Sequence, residues 1–413
     1  MAVLFKGLNL YASGKSTQGD FVFDQGILKP FHDSLKDTIE VEIQADGWHA
    51  SSGWIDLRVM AGEPGLEYKE TLETLSEALA YGGFSHAVLL PNTEPTIQSK
   101  TDVDFVKSKS ARFTPELIVQ GAVTKDTHGE DFTEILDMHY QSGVKVFGDG
   151  IVPLSNSDRF LKAIQYLQKF DGILFDHSYD PLLAIFGQMH EGEISTHLGM
   201  KGIPSMAEEV AIHKNLELIR YAGGRVHFQT LSTIKGVELI RQAKAEGLSV
   251  TSDVSLYQLL FTDSDLADFD PNYKVKPPFR GEEDRLALLA GLQDGTIDAI
   301  VSNHQPQDFD AKFMEFDLAS FGMAGLQAFL PGLVQLESEL GWELLLEKIT
   351  KGPADVLQLK GPETWTIFDP SEKWKYDSSA NKSLASNHPW FGQELQGKVK
   401  YVIQKGQLIG IDG

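Results

Sequence analysis

From residue 53 to about residue 355, short apolar, β-rich runs alternate with stretches whose apolar residues recur at helical spacing. This alternation marks parallel βα units, because a parallel strand needs a long return connection and a helix is the usual one. Eight runs can be counted, at residues 54–59, 86–91, 117–123, 144–148, 172–177, 225–230, 248–254 and 299–303. Eight parallel strands close a barrel, so the expected class is α/β, a (β/α)8 barrel of the TIM type. Ser205 and Glu208 stand at capping-box spacing before a helix expected to reach Tyr221, which Gly223 and Gly224 stop. The connections at 178–204 and 255–281 are long, and long loops at the C-terminal ends of barrel strands are where sites are built. Residues 1–52 and 360–413 alternate over short strands with turns between them. These two ends are expected to join in one small β domain beside a barrel spanning 53–359.

Composition narrows the chemistry. The chain of 413 residues has no cysteine, which excludes disulfides, zinc–thiolate sites and thiol catalysis, and leaves His, Asp, Glu or a modified Lys as metal donors. Lys and Arg number 36 against 59 Asp and Glu, a balance of −23 that repels phosphate backbones and argues against nucleic acid as a partner. No apolar run approaches the roughly 18 residues of a membrane span, and the first residues lack the layout of an export leader. A cytoplasmic protein is expected.

Candidate chemistry gathers at the ends of the expected strands. Residues 52–65 read S-G-W-I-D-L-R-V-M-A-G-E-P-G, with K-E-T at 69–71, P-N-T-E-P at 91–95 and D-H at 176–177. Further along stand K-P-P-F-R at 276–280, D-G-T-I-D at 294–298, S-N-H-Q-P-Q at 302–307 and F-D-P at 368–370. In this order, over nearly the whole chain, the motifs resemble the dihydroorotase branch of the cyclic amidohydrolases. The first strand of that branch reads P-G-x-I-D-x-H-x-H-x-R-E-P-G.

The resemblance implies a two-metal zinc centre with a bridging hydroxide, and each ligand position can be read off. The paired histidines of the first strand are Arg58 and Met60, one a permanent cation and the other a thioether. Asp149 and His177 match the ligands after the fourth strand and on the fifth, whereas the sixth-strand histidine is Thr230. The eighth-strand aspartate, also the family's general base, is Asn303, and an amide takes no proton at neutral pH. Of the substrate-binding positions, the arginine is Gly62, one asparagine is Lys276, the last histidine is Gln307, and only Asn92 matches. His227 and His304 read as structural.

These replacements lead to the expectation of a dihydroorotase-like pseudoenzyme, with no catalytic residue and no cofactor, acting as a binding or assembly partner in pyrimidine biosynthesis. The resemblance suggests aspartate carbamoyltransferase as that partner, and a homodimer. The alternative is an active amidohydrolase, opening a cyclic amide with an altered or single-metal site. Arg58 is further expected to fill the space of the metals and to pair with Asp149, since a buried carboxylate needs a counter-charge.

Overall fold

The computed structural model describes residues 2–12, 14–359 and 364–411. Strands Trp54–Val59 and Phe84–Leu89 are buried at every position. Strands covered on both faces read in this way, and such burial is the habit of parallel sheets flanked by helices. These two join Glu116–Val119 in one parallel sheet. A second parallel sheet takes Val146–Phe147, Ile173–Asp176, Arg225–Phe228, Val250–Ser255 and Ala299–Val301 in chain order. Isolated parallel bridges, Gly121 to Phe147 and Val59 to His304, connect the two sheets at both ends. The eight runs therefore follow one another around a circuit with the last beside the first, and their C-terminal ends face the same way.

Several strands stop short of the runs read from the sequence. The fourth is only Val146–Phe147, and the eighth ends at Val301. Thr230 and Asn303 lie just past their strands with φ of 53° and 49°, where the chain turns sharply out of the sheet. A left-handed β-branched residue such as Thr230 is costly, and such positions gather at sites.

Ser205 does not cap its helix, Met206–Ala222: it is itself helical and its side chain makes no cap hydrogen bond. Glu208 turns instead to the next strand connection. Its carboxylate accepts from Ser232 N at 3.0 Å, Thr233 N at 3.1 Å and Thr233 Oγ1 at 2.9 Å, and from the Ser232 hydroxyl. Four converging donors outweigh a local box, which is why spacing alone misled here.

The chain ends meet in one eight-stranded sheet. His49–Ser52 runs parallel to Ala2–Ala12 and antiparallel to Trp365–Lys375, so an early strand is the seam between the two ends. The expected boundary at 359/360 touches residues 360–363, which lie outside the described residues. No helix of the described residues is long and apolar enough to cross a membrane.

Candidate functional site at the strand ends

Arg58 stands in the middle of the cluster, fully buried on the first strand. Its Nε donates to Asn303 Oδ1 at 2.9 Å, and its Nη1 donates to Gln229 Oε1 at 2.6 Å and to the Gly150 carbonyl at 3.4 Å. All three acceptors are neutral. Burial brings the guanidinium down to about 10, with Asp253, Tyr179 and Asp56 opposing, so it remains a cation at neutral pH. Asp56, two residues earlier and hence on the same face, accepts from Arg58 N at 2.9 Å and Ser302 N at 3.0 Å. Burial, with Asp253 adding to it, pushes the Asp56 carboxyl up to about 7.

The expected ion pair between Arg58 and Asp149 does not form. Asp149 faces the third strand connection, where Oδ1 accepts from Val123 N at 2.9 Å and Thr124 N at 3.0 Å, and Oδ2 accepts from Thr124 Oγ1 at 2.6 Å. Three short donors stabilise a buried carboxylate without a cation, although burial still raises its pKa. Asn92 holds the chain just beyond: its Oδ1 accepts from Ile151 N at 2.9 Å and its Nδ2 donates to the Asp149 carbonyl at 3.1 Å. That clamp places the Gly150 carbonyl against Arg58.

His177 is buried, with Nδ1 3.1 Å from Thr230 Oγ1. Burial first, then Arg58 and Lys276, hold its pKa well below the usual imidazole value, so it is neutral at pH 7. Lys276 carries its ammonium 4.8 Å from the Tyr179 ring centroid and 5.0 Å from that of Phe321, and burial lowers its pKa. At Gly62 there is no room for a side chain, since a Cβ would lie 1.9 Å from the Leu66 carbonyl oxygen. Met60 joins the wall through its amide, which donates to the His304 carbonyl at 3.0 Å. Gln307 Nε2 donates to the Phe321 carbonyl at 2.8 Å, outside the Arg58 cluster.

His227 places Nδ1 2.8 Å from Thr251 Oγ1 and Nε2 2.8 Å from Asp253 Oδ2, so both nitrogens serve the wall. His304 is buried between Val59 and Met323 and lies 3.6 Å from Glu70. The structure thus brings Arg58, Asn303, His177, Thr230 and Lys276 toward one another and turns Asp149 aside. Sequence reasoning missed Gln229 and Tyr179, and read Glu208 only as a helix cap. The signal available for Gln229 was its place immediately before Thr230, at a strand end.

The fold has solved counterparts. Over 99% of this chain it is similar to the L-hydantoinase (dihydropyrimidinase) of Arthrobacter aurescens, with a TM-score of 0.86 at 22% identity and 96% of that structure covered. A dihydropyrimidinase from Brevibacillus agri is similar with a TM-score of 0.82 at 16% identity, covering 99% and 95%. The family model described as dihydro-orotase-like matches residues 50–236. A dihydroorotase of Caldanaerobacter subterraneus is 33% identical, covering 98% of this chain and 96% of the relative. One from a Geobacter species is 35% identical, covering 89% and 88%. The chain belongs to the dihydroorotase family.

These relations correct the expectation of a non-catalytic assembly partner. Relatives so similar over nearly the full length carry the name of an enzyme, which favours the hydrolase alternative. The expectation of no cofactor is corrected with it, because the family resemblance implies zinc. The residues present do not fit the family's paired centre. Arg58 occupies a ligand position as a cation, Asp149 already accepts three hydrogen bonds from Val123 and Thr124, and Thr230 and Asn303 offer neutral oxygens. Among the described residues no group of three or more His, Asp or Glu could hold a metal ion.

Proposed function

We propose that this chain hydrolyses a cyclic amide as dihydroorotases do, at the strand ends and with an altered complement of donors. The observation that carries this reading is the 33% identity to a dihydroorotase over 98% of the chain. The fold supports it, and we read the circuit of parallel strands as a (β/α)8 barrel with its mouth at these ends. Pyrimidine biosynthesis is then its setting.

Within the site, His177 is a neutral imidazole whose ring the Thr230 hydroxyl fixes, and with burial, Arg58 and Lys276 lowering its pKa it is suited to orient an attacking water by accepting its hydrogen bond more than to take the proton. Asn303 holds Arg58 in place of acting as a base. The test is ring opening of dihydroorotate, followed by chromatography of the carbamoyl acid, with and without added zinc. Ring opening above the buffer rate, lost in His177→Ala, is expected. A folded preparation that opens no ring under either condition would overturn the reading. A homodimer and association with aspartate carbamoyltransferase are carried with the proposal, to be tested by light scattering and by co-purification.

A further inference from the structure

A cleft of about 320 Å³ opens where the helices Leu72–Tyr81 and Phe329–Ile349 come together with the strands Trp365–Lys375 and Glu394–Gln404. That is the size of a small-molecule site, roughly 300–1,000 Å³. Neither Arg58, His177 nor Lys276 lines it, so it is separate from the candidate site at the strand ends. Its floor is apolar, from the buried Leu330, Val399 and Ile411, and the half-buried rings of Tyr81 and Trp374 line it as well. Trp374 is fixed in place by its Nε1, which donates to the Gly397 carbonyl at 2.8 Å. The strand carrying Gly397 comes close to the helix beneath it: a Cβ at Gly397, where φ is 102°, would lie 2.9 Å from Val334 Cγ2.

The charge of this cleft is opposite to that of the chain. Overall, 59 Asp and Glu outnumber 36 Lys and Arg, yet the described residues lining the cleft include Lys382 and Lys398 and no carboxylate. Lys398 pairs with Glu372 at 3.2 Å. Lys382 holds its ammonium 4.4 Å from the Tyr81 ring centroid, and among the described residues no carboxylate pairs with it. A ring face engages only part of an ammonium, so N–H donors remain for an anion. The backbone that carries this cation is already held: Lys382 N donates to Gln327 Oε1 at 2.5 Å, and Gln327 Nε2 donates to the Ala380 carbonyl at 3.0 Å. Such preorganisation lowers the ordering cost of binding.

We infer that this cleft binds a small flat ring bearing an anionic group, with the ring against Trp374 and the anion at Lys382. Aromatic faces stack on flat rings, and an ammonium is a point charge that suits a carboxylate or a phosphate. Nucleoside monophosphates and aromatic carboxylates share this chemistry. A neutral ring would leave the ammonium without an anion, and an anion without a ring would leave the Trp374 face in water. The inference stands apart from the hydrolytic reading, because it uses none of the residues at the strand ends.

Calorimetric titration tests it with adenosine monophosphate and 2-naphthoate, each beside its neutral counterpart, adenosine and 2-naphthol. The proteins are the wild type, Lys382→Met, Lys382→Arg and Trp374→Leu, with melting temperatures to verify that each folds. One or both anions should bind about fivefold or more tightly than the neutral counterpart, and which of them does so separates a nucleotide site from one for aromatic carboxylates. Lys382→Met should abolish that preference and Lys382→Arg should keep it. Trp374→Leu should weaken the anion and its neutral counterpart alike, by about fivefold or more. No binding of any ring, equal affinity for anion and neutral counterpart, or an unaltered preference in folded Lys382→Met would overturn the inference. Inorganic phosphate binding as tightly as the preferred ring anion would also overturn it, in favour of a general anion site.

Discussion

Replacing Asp56 by Asn should change the pH dependence of folding stability in a direction the structure specifies. Burial raises the Asp56 carboxyl from 3.8 to about 7. The folded chain therefore holds this proton more tightly than the unfolded chain. Between those two values the folded state binds more protons, so lowering the pH stabilises it; the contribution is full below 3.8 and is lost as pH rises through about 7. At about 1.36 kcal/mol per unit, the window from pH 8 to pH 5 captures about 3 kcal/mol of it. The amide introduced by Asp56→Asn does not titrate. It would also turn an N–H₂ toward Arg58 N or Ser302 N, both of which donate to Asp56 now, a cost of about 1–3 kcal/mol that does not vary with pH. Urea unfolding of both proteins at pH 5, 6, 7 and 8 isolates the proton-linked part as the change in their difference. Wild type should gain on the variant by about 3 kcal/mol from pH 8 to pH 5. A difference that stays level across that range would refute the assignment of a buried, proton-holding Asp56.

Restoring the family arginine at Gly62 should damage the fold instead of improving the site: a Cβ there meets the Leu66 carbonyl at 1.9 Å, and the turn bonds from Gly62 N to Glu70 O and Leu66 N to Gly62 O would be strained. Gly62→Arg should cost about 3 kcal/mol or more in chemical denaturation. Glu208→Ala leaves the Ser232 and Thr233 donors buried without an acceptor and removes a negative charge that acts on Arg280. It should destabilise by about 3–5 kcal/mol, measured by the same unfolding assay. Asn92→Ala frees the Asp149–Ile151 backbone. It should cost about 1–2 kcal/mol and raise amide hydrogen exchange at Ile151.

The chain's periodicity by itself determined the kinds of element and their order. A strand such as Trp54–Val59 announces itself because residues buried on both faces must all be apolar or internally paired, whereas the second strand, Phe84–Leu89, begins and ends two residues before the run read at 86–91. The helix stop at Gly223, with φ of 70°, was equally plain, since few other residues adopt that conformation cheaply. The motifs likewise drew attention to residues near the strand ends, of which Arg58 and Asn303 meet while Asp149 and Gln307 turn elsewhere. Their partners were another matter. Arg58 meets Asn303 and Gln229 from 245 and 171 residues away, and nothing local to position 58 distinguishes those oxygens from the Asp149 carboxylate. That choice depends on where donors stand in space: the amides of Val123 and Thr124 are already aimed at Asp149, and a carboxylate so bonded has little left to gain from turning to a guanidinium. Glu208 followed the same logic when it left Ser205 for Ser232 and Thr233. Spacing along a chain sets the face a side chain occupies, whereas hydrogen bonding among buried polar groups is settled only when distant strands bring their ends together.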